Sequence, residues 1–212
     1  EMGIHINFAP DLDVNSNVDN PVIGIRSFGE DPAAVADKGI AYASGLEEGG
    51  IMAVAKHFPG HGDTSDDSHE TLPVIYHSRA RLDSVELFPF KQYIQKGFAG
   101  VMTAHLYIPA LDKRKNLPSS LSEKVVKGLL QDELGFQGLC FTDALAMKGA
   151  GKDKAENPCV KALLAGNDIL LAPYAPISDY KAVKEAIEGG IIPMKLVEDK
   201  CKKILQYKYV AG

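Results

Sequence analysis

Short, nearly continuous apolar runs alternate with helix signals along this whole chain, and that alternation limits the fold more than any other feature. The runs fall at 4–9, 51–57, 99–105, 138–143 and 168–172. Each has strand length, and their uniform apolarity suits strands covered on both faces, as in a parallel sheet. Helix signals lie between them. Asp31-Pro32 offers an N-cap and a first-turn proline, with Gly49-Gly50 at the end. Pro89 opens a second helix that ends near Gly97. Ser120-Leu-Ser-Glu123 reads as a capping box for a helix burying Val125, Val126, Leu129 and Leu130. Asn157-Pro158 opens a helix that stops at Gly166, Ser178 is placed to cap another, and Pro193 opens the last.

Alternation of this kind predicts an α/β fold with a parallel sheet. An open doubly wound sheet and a (β/α)8 TIM barrel both satisfy it. A barrel takes eight strand–helix units and typically about 250 residues. The five runs in 212 residues are therefore either an open sheet or an incomplete barrel. No linker or low-complexity stretch divides the chain, so 1–212 reads as one domain.

Composition narrows the function classes. Apolar residues make up 45% of the chain, enough for a substantial core. The net charge of −5 argues against a generic nucleic-acid binder, which carries a basic stripe. No run approaches the length of a membrane span, and no secretory leader is visible. Cys140, Cys159 and Cys201 are far apart in sequence and read as free thiols. The charge run 112–115 reads as a solvated loop.

The strands end in polar residues. The second run closes on Lys56-His57 and leads into Phe-Pro-Gly-His61-Gly-Asp63, then Asp67-Ser-His69. The third ends at His105 and the fourth at Asp143. Loops at the C-terminal ends of parallel strands converge on one face, where α/β proteins carry their sites. Four of the six histidines lie between 57 and 77, which makes the loop after the second strand the focus. A carboxylate beside an imidazole, as Asp67 is to His69, fixes its tautomer and stabilises its cation. A lone strand-end carboxylate such as Asp143 suits a nucleophile, a general base or a metal ligand. Metal binding by His57, His61, His69 and Asp63 is disfavoured, because Pro59, Gly60 and Gly62 break the helix that an HxxxH pair needs. His105 reads as a hydrogen-bonded structural histidine. His5 and His77 carry no signal.

These residues resemble a known family. Lys56 through Thr64, then Asp67-Ser-His69 and Leu72-Pro73, are similar to the signature loop of glycoside hydrolase family 3 β-N-acetylglucosaminidases (the β-hexosaminidase type). Thr142-Asp-Ala-Leu145 with Met147 resembles their nucleophile segment. Phe8-Ala-Pro-Asp-Leu-Asp13, Arg26-Ser-Phe-Gly29 and Met102-Thr-Ala-His105 fall in the family's order. Several motifs in one order are far more specific than any single one.

The resemblance implies a TIM-barrel catalytic domain and a retaining exo-glycosidase acting on terminal β-linked N-acetylglucosamine. Asp143 matches the nucleophile. His69, oriented by Asp67, matches the acid/base. Arg26, Lys56 and His57 match residues that hold sugar hydroxyls, and His61 and Asp63 shape the loop. No metal and no cofactor is expected. The partners expected are N-acetylglucosamine oligosaccharides or cell-wall fragments, with no nucleic acid and no membrane span. Family members carry two further strand units before residue 4, the second ending in an acidic, glycine-rich motif absent here. The resemblance thus implies a barrel lacking its first two strand units, with self-association through the open barrel edge. A phosphorylase of the same family, or a non-catalytic sugar-binding fragment, are the competing readings. Bacterial members of the family are cytoplasmic or exported, so the compartment stays open.

Overall fold

The computed structural model describes residues 3–65, 71–150 and 156–211. Its centre is a four-stranded parallel sheet in the order β1-β2-β3-β4, formed by Ile6–Asn7, Met52–Phe58, Gly100–Thr103 and Leu139–Thr142. Sequential strands lie side by side, each joined to the next through a helical crossover, as the alternation predicts.

Two expected strands are shorter than the sequence suggests. The run at 4–9 forms a ladder only over Ile6–Asn7, then follows β2 as extended chain to an isolated bridge between Asp11 and Lys56. Pro10 lacks the N–H that would continue regular pairing, though its carbonyl accepts from Lys56 N at 3.0 Å. The run at 168–172 lies parallel to β4 and makes one bridge, Phe141 to Ile169. There Cys140 N bonds the Asp168 carboxylate at 2.9 Å and Leu171 N bonds Thr142 Oγ1 at 2.9 Å. Side chains thus replace ladder partners.

The helices follow their local signals. α1 (Pro32–Glu48) is capped by Asp31, which accepts from Ala34 N at 2.8 Å. α2 (Arg79–Ser84) has Ser78 as its N-cap, and α3 (Phe88–Gln95) opens with Pro89. Lys124–Glu133 winds as a π-helix, with Leu134 N bonded to Leu129 O. Its hydroxyl cap is Ser122, which accepts from Val125 N at 3.3 Å. Ser120, the expected cap, lies instead in the 3₁₀ turn Ser119–Leu121, with its hydroxyl turned to His105. α4 (Pro158–Ala165) is capped by Asn157 and stopped by Gly166 at φ 121°. α5 (Pro176–Glu188) starts before Ser178, whose hydroxyl donates to Ala175 O. α6 (Met194–Ala211) ends the chain's helical order.

The pleat splits the core. Ala53, Ala55, Val101 and Cys140 pack outward with Phe90, Tyr93, Val126 and Leu130. Val54, Met102, Leu139 and Phe141 pack on the other face with Phe8, Ile169, Ile204 and Tyr207. Side chains thus cover both faces of β2, β3 and β4, which is why those runs are continuously apolar. The 112–115 run is not simply solvated. Asp112 is buried, held by Arg114 and by Ser122 Oγ at 2.6 Å, and its carboxyl pKa falls to about 2 because those donors outweigh its burial. Among the described residues, no helix is long and apolar enough to cross a membrane.

Candidate active site

The C-terminal ends of β1 to β4 deliver Asp11, Asp13, Lys56, His57, His105 and Asp143 to one face. Asp13 is fully buried and forms the hub. Its carboxylate accepts from His57 N at 3.2 Å, from His57 Nδ1 at 2.6 Å and from His61 N at 2.6 Å. The His57 and His61 rings meet edge to face at 6.0 Å. Burial pulls the His57 imidazole down to about 4, so it is neutral at physiological pH. With Nδ1–H donating to Asp13, its Nε2 keeps a lone pair. The ring therefore offers a ligand an acceptor.

Asp11 lies beside this hub. One oxygen accepts from Asp13 N at 3.1 Å, while the buried Oδ2 has no hydrogen-bond partner. That oxygen faces Arg26 Nη2 at 3.6 Å. Burial, and then the neighbouring Asp13 carboxylate, raise the Asp11 carboxyl to about 8. Burial also raises the Asp13 carboxyl, so the two carboxyls titrate as a coupled pair.

Arg26 stands on the 3₁₀ turn Gly24–Arg26, and its Nη1 donates to Val22 O at 3.0 Å. The turn is held by Asn20, which accepts from Val22 N and Ile23 N and donates to His61 O at 2.9 Å. Lys56 is half-buried; burial and then the Arg26 charge lower its pKa, opposed by Asp11, Asp143 and Asp13. The loop after β2 approaches the backbone of Val14 so closely that a Cβ on Gly62 would sit 1.8 Å from Val14 O. Only glycine fits there.

Asp143 follows β4 directly. Its backbone N–H bonds Thr103 O at 2.9 Å, and its Oδ1 accepts from Ala144 N at 2.7 Å. Its charge is felt by Lys56, His57, His61 and His105. His105 is buried, with Nδ1 at 2.7 Å from Ser120 Oγ and Nε2 at 3.1 Å from Ala144 O. The carbonyl can only accept, so Nε2 carries the proton and Nδ1 receives the serine hydroxyl. The structural reading of His105 holds.

Of the expected site residues, Arg26, Lys56, His57 and Asp143 come together here. Asp67 and His69 lie outside the described residues. Asp11 and Asp13 were not assigned roles from sequence, although their Asp-x-Asp spacing at the end of the first strand is the signal that finds them. Asp11, Asp13 and His57 offer donor atoms within 4.8 Å of one another, a spacing that could hold a metal ion. Two of those atoms are already bonded to each other, and the Arg26 and Lys56 cations adjoin the third, so the donor set is poorly suited to a second cation.

Fold and site together define an α/β domain of the TIM-barrel type, with a carboxylate-rich face at the C-terminal ends of its strands. Residues 1–207 match the glycosyl hydrolase family 3 N terminal domain. The chain is 43% identical over 187 residues to beta-hexosaminidase A of Pseudoalteromonas piscicida, covering 82% of this chain and 31% of that protein. It superposes with a TM-score of 0.94 and 41% identity on a family 3 beta-N-acetylglucosaminidase from Paenibacillus sp. str. FPU-7, covering 99% of this chain and 40% of that one. The beta-glucoside phosphorylase BglX superposes equally well, at a TM-score of 0.94 but 26% identity, with coverage of 99% and 39%. The chain belongs to glycosyl hydrolase family 3, and it spans less than half the length of these three relatives.

Proposed function

We propose that the protein containing this chain is a retaining exo-glycosidase that releases terminal β-linked N-acetylglucosamine through a covalent glycosyl-aspartate at Asp143. The observation that carries this reading is the position of Asp143. Its carboxylate stands at the end of β4, part exposed, with one oxygen held by Ala144 N and with Lys56 and His57 in its field. A fixed carboxylate beside a polyhydroxyl-binding surface suits attack on an anomeric carbon. The beta-hexosaminidase and beta-N-acetylglucosaminidase relatives support the sugar named here.

In this reading His69, oriented by Asp67, protonates the departing oxygen and then deprotonates the incoming water. Because the acid/base is an imidazole, the close carboxylate pair of most retaining glycosidases is not required. Arg26 and Lys56 donate to sugar hydroxyls, His57 Nε2 accepts from one, and Asp11 sets the position of Arg26.

A phosphorylase is the second reading. The BglX superposition favours it, and a histidine acid/base does not repel a phosphate dianion. The higher identity to the N-acetylglucosaminidases favours hydrolysis.

The test is hydrolysis of a chromogenic β-N-acetylglucosaminide by the wild type and Asp143→Ala, with labelling by a 5-fluoro-N-acetylglucosaminyl fluoride. We expect activity to vanish in the variant and the label to appear on the peptide containing Asp143. A label on another residue, or equal activity in both proteins, would reject the assignment. N-acetylglucosamine 1-phosphate formed in phosphate buffer would select the phosphorylase.

A further inference from the structure

We propose that Asp63 and His77 act as a positioning pair, fixing the two ends of the segment that carries Asp67 and His69. The inference rests on the acid/base reading of His69 given above.

The stem leaving β2 and the stem returning from this segment are tied to different parts of the sheet. On the outgoing stem, Asn17 Nδ2 donates to Thr64 O and Ser65 Oγ, each at 3.2 Å, and Asn20 Nδ2 donates to His61 O at 2.9 Å. Those partners belong to the loop after β1. On the returning stem, Ile75 N bonds Tyr107 O at 3.0 Å and Tyr107 N bonds Pro73 O at 2.9 Å. That partner follows β3. Asp63 Oδ2 and His77 Nε2 are in direct hydrogen-bond contact, and this contact joins stem to stem. Asp63 spends its other oxygen on Ser16 Oγ at 3.0 Å, so three segments meet at one carboxylate.

His77 is also placed to be held itself, because it directly precedes Ser78, the N-cap of α2. Closing the ends of a segment restricts the positions its middle can take. A misplacement of about 1 Å at a reacting group can cost on the order of 100-fold in rate. The two side chains remain 33% and 24% exposed, so their contact adds little to global stability. Its consequence should therefore be local, at the segment it brackets, and that separates a positioning role from a structural one.

The experiment uses the full protein with His77→Ala, His77→Gln and Asp63→Asn. Hydrogen exchange is read on peptides spanning 64–76, and kcat/KM is measured on a dinitrophenyl and an alkyl β-N-acetylglucosaminide. The dinitrophenolate leaves without a proton, whereas the alkoxide needs one. We expect His77→Ala and Asp63→Asn to raise exchange across 64–76. They should also lower kcat/KM on the alkyl glycoside by roughly 10- to 100-fold, with little change on the dinitrophenyl one. His77→Gln, whose amide nitrogen reaches close to the place of Nε2, should recover most of both. His69→Ala, run alongside, tests the underlying reading: without leaving-group dependence there, the acid/base role fails, and the exchange result alone judges the pair. Unchanged exchange in both variants overturns the proposal. So does an equal loss on both substrates while His69→Ala discriminates between them.

Discussion

Asp13 Oδ2 lies 2.6 Å from His57 Nδ1, and neither group is open to solvent. The same carboxylate receives two backbone N–H groups, one from the end of β2 and one from the loop after it. One buried side chain from the end of the first strand thereby sets the tautomer of His57 and the course of the loop that runs on to His61.

Removing that hub should be costly. Asp13→Ala leaves the N–H groups of His57 and His61 and the His57 ring without a partner in a dry site. Breaking a buried, hydrogen-bonded pair on one side costs about 3–5 kcal/mol. We expect a loss of that order in the urea unfolding free energy. A change below about 1 kcal/mol would mean that water or Asp11 takes over the acceptor role.

The raised carboxyl of Asp11 makes stability depend on pH. Below 3.8 the group is protonated both folded and unfolded, so its contribution is fully present; it is lost as pH rises through the folded value of about 8. Neutral His57 works the other way, adding stability as pH rises from about 4 to 6.5. From 6.5 to 8 the His57 contribution is complete, and the coupled Asp11–Asp13 pair acts against it. There the wild type should lose about 1–2 kcal/mol as pH rises. Asp11→Asn should reduce that slope. Parallel profiles for the two proteins across this window would show that Asp11 is not the group that titrates.

Much of the fold is legible because its signals are local. Asp31-Pro32 and Asn157-Pro158 each specify a helix start within a few residues, and the structure caps both helices there. The strand-end positions of Lys56, His57 and Asp143 are likewise readable, since apolar runs show where strands stop. The site's other half is not local. Asp13 meets His57 across 44 positions, and His77 meets Asp63 across 14. Ser120 shows the same limit. Its spacing to Glu123 satisfies a capping box, but the tertiary partner His105 claims the hydroxyl and the cap passes to Ser122.

The last helix is held by charge as well as by packing. Asp168 is buried and accepts from Lys203 Nζ at 2.8 Å, Lys200 Nζ at 3.3 Å and Cys140 N at 2.9 Å. Burial already lowers the Lys200 pKa, with Asp168 opposing that effect. Asp168→Asn would leave a largely buried ammonium without its counter-charge, at a cost of about 3 kcal/mol. We expect faster proteolysis within α6 before the sheet unfolds. Cleavage rates equal to the wild type's would indicate that Ile204 and Tyr207 alone secure the helix.

The final prediction concerns the support of Asp143. Ser120 Oγ bonds His105 Nδ1, and His105 Nε2–H bonds the carbonyl of Ala144, the residue that also donates its N–H to Asp143. Burial lowers the His105 pKa, and the Ala144 carbonyl, which can only accept, sets the Nε2–H tautomer. Ser120→Ala leaves Nδ1 as a buried acceptor without a donor, worth about 1–3 kcal/mol of stability. His105→Phe removes both bonds. If the three groups form one unit, the double variant should cost less than the sum of the singles by at least about 0.5 kcal/mol. Activity should fall in both single variants, mainly in kcat, because the peptide bearing the nucleophile is displaced and not the sugar-binding groups. Additive stabilities, or a change confined to KM, would place His105 outside the support of Asp143.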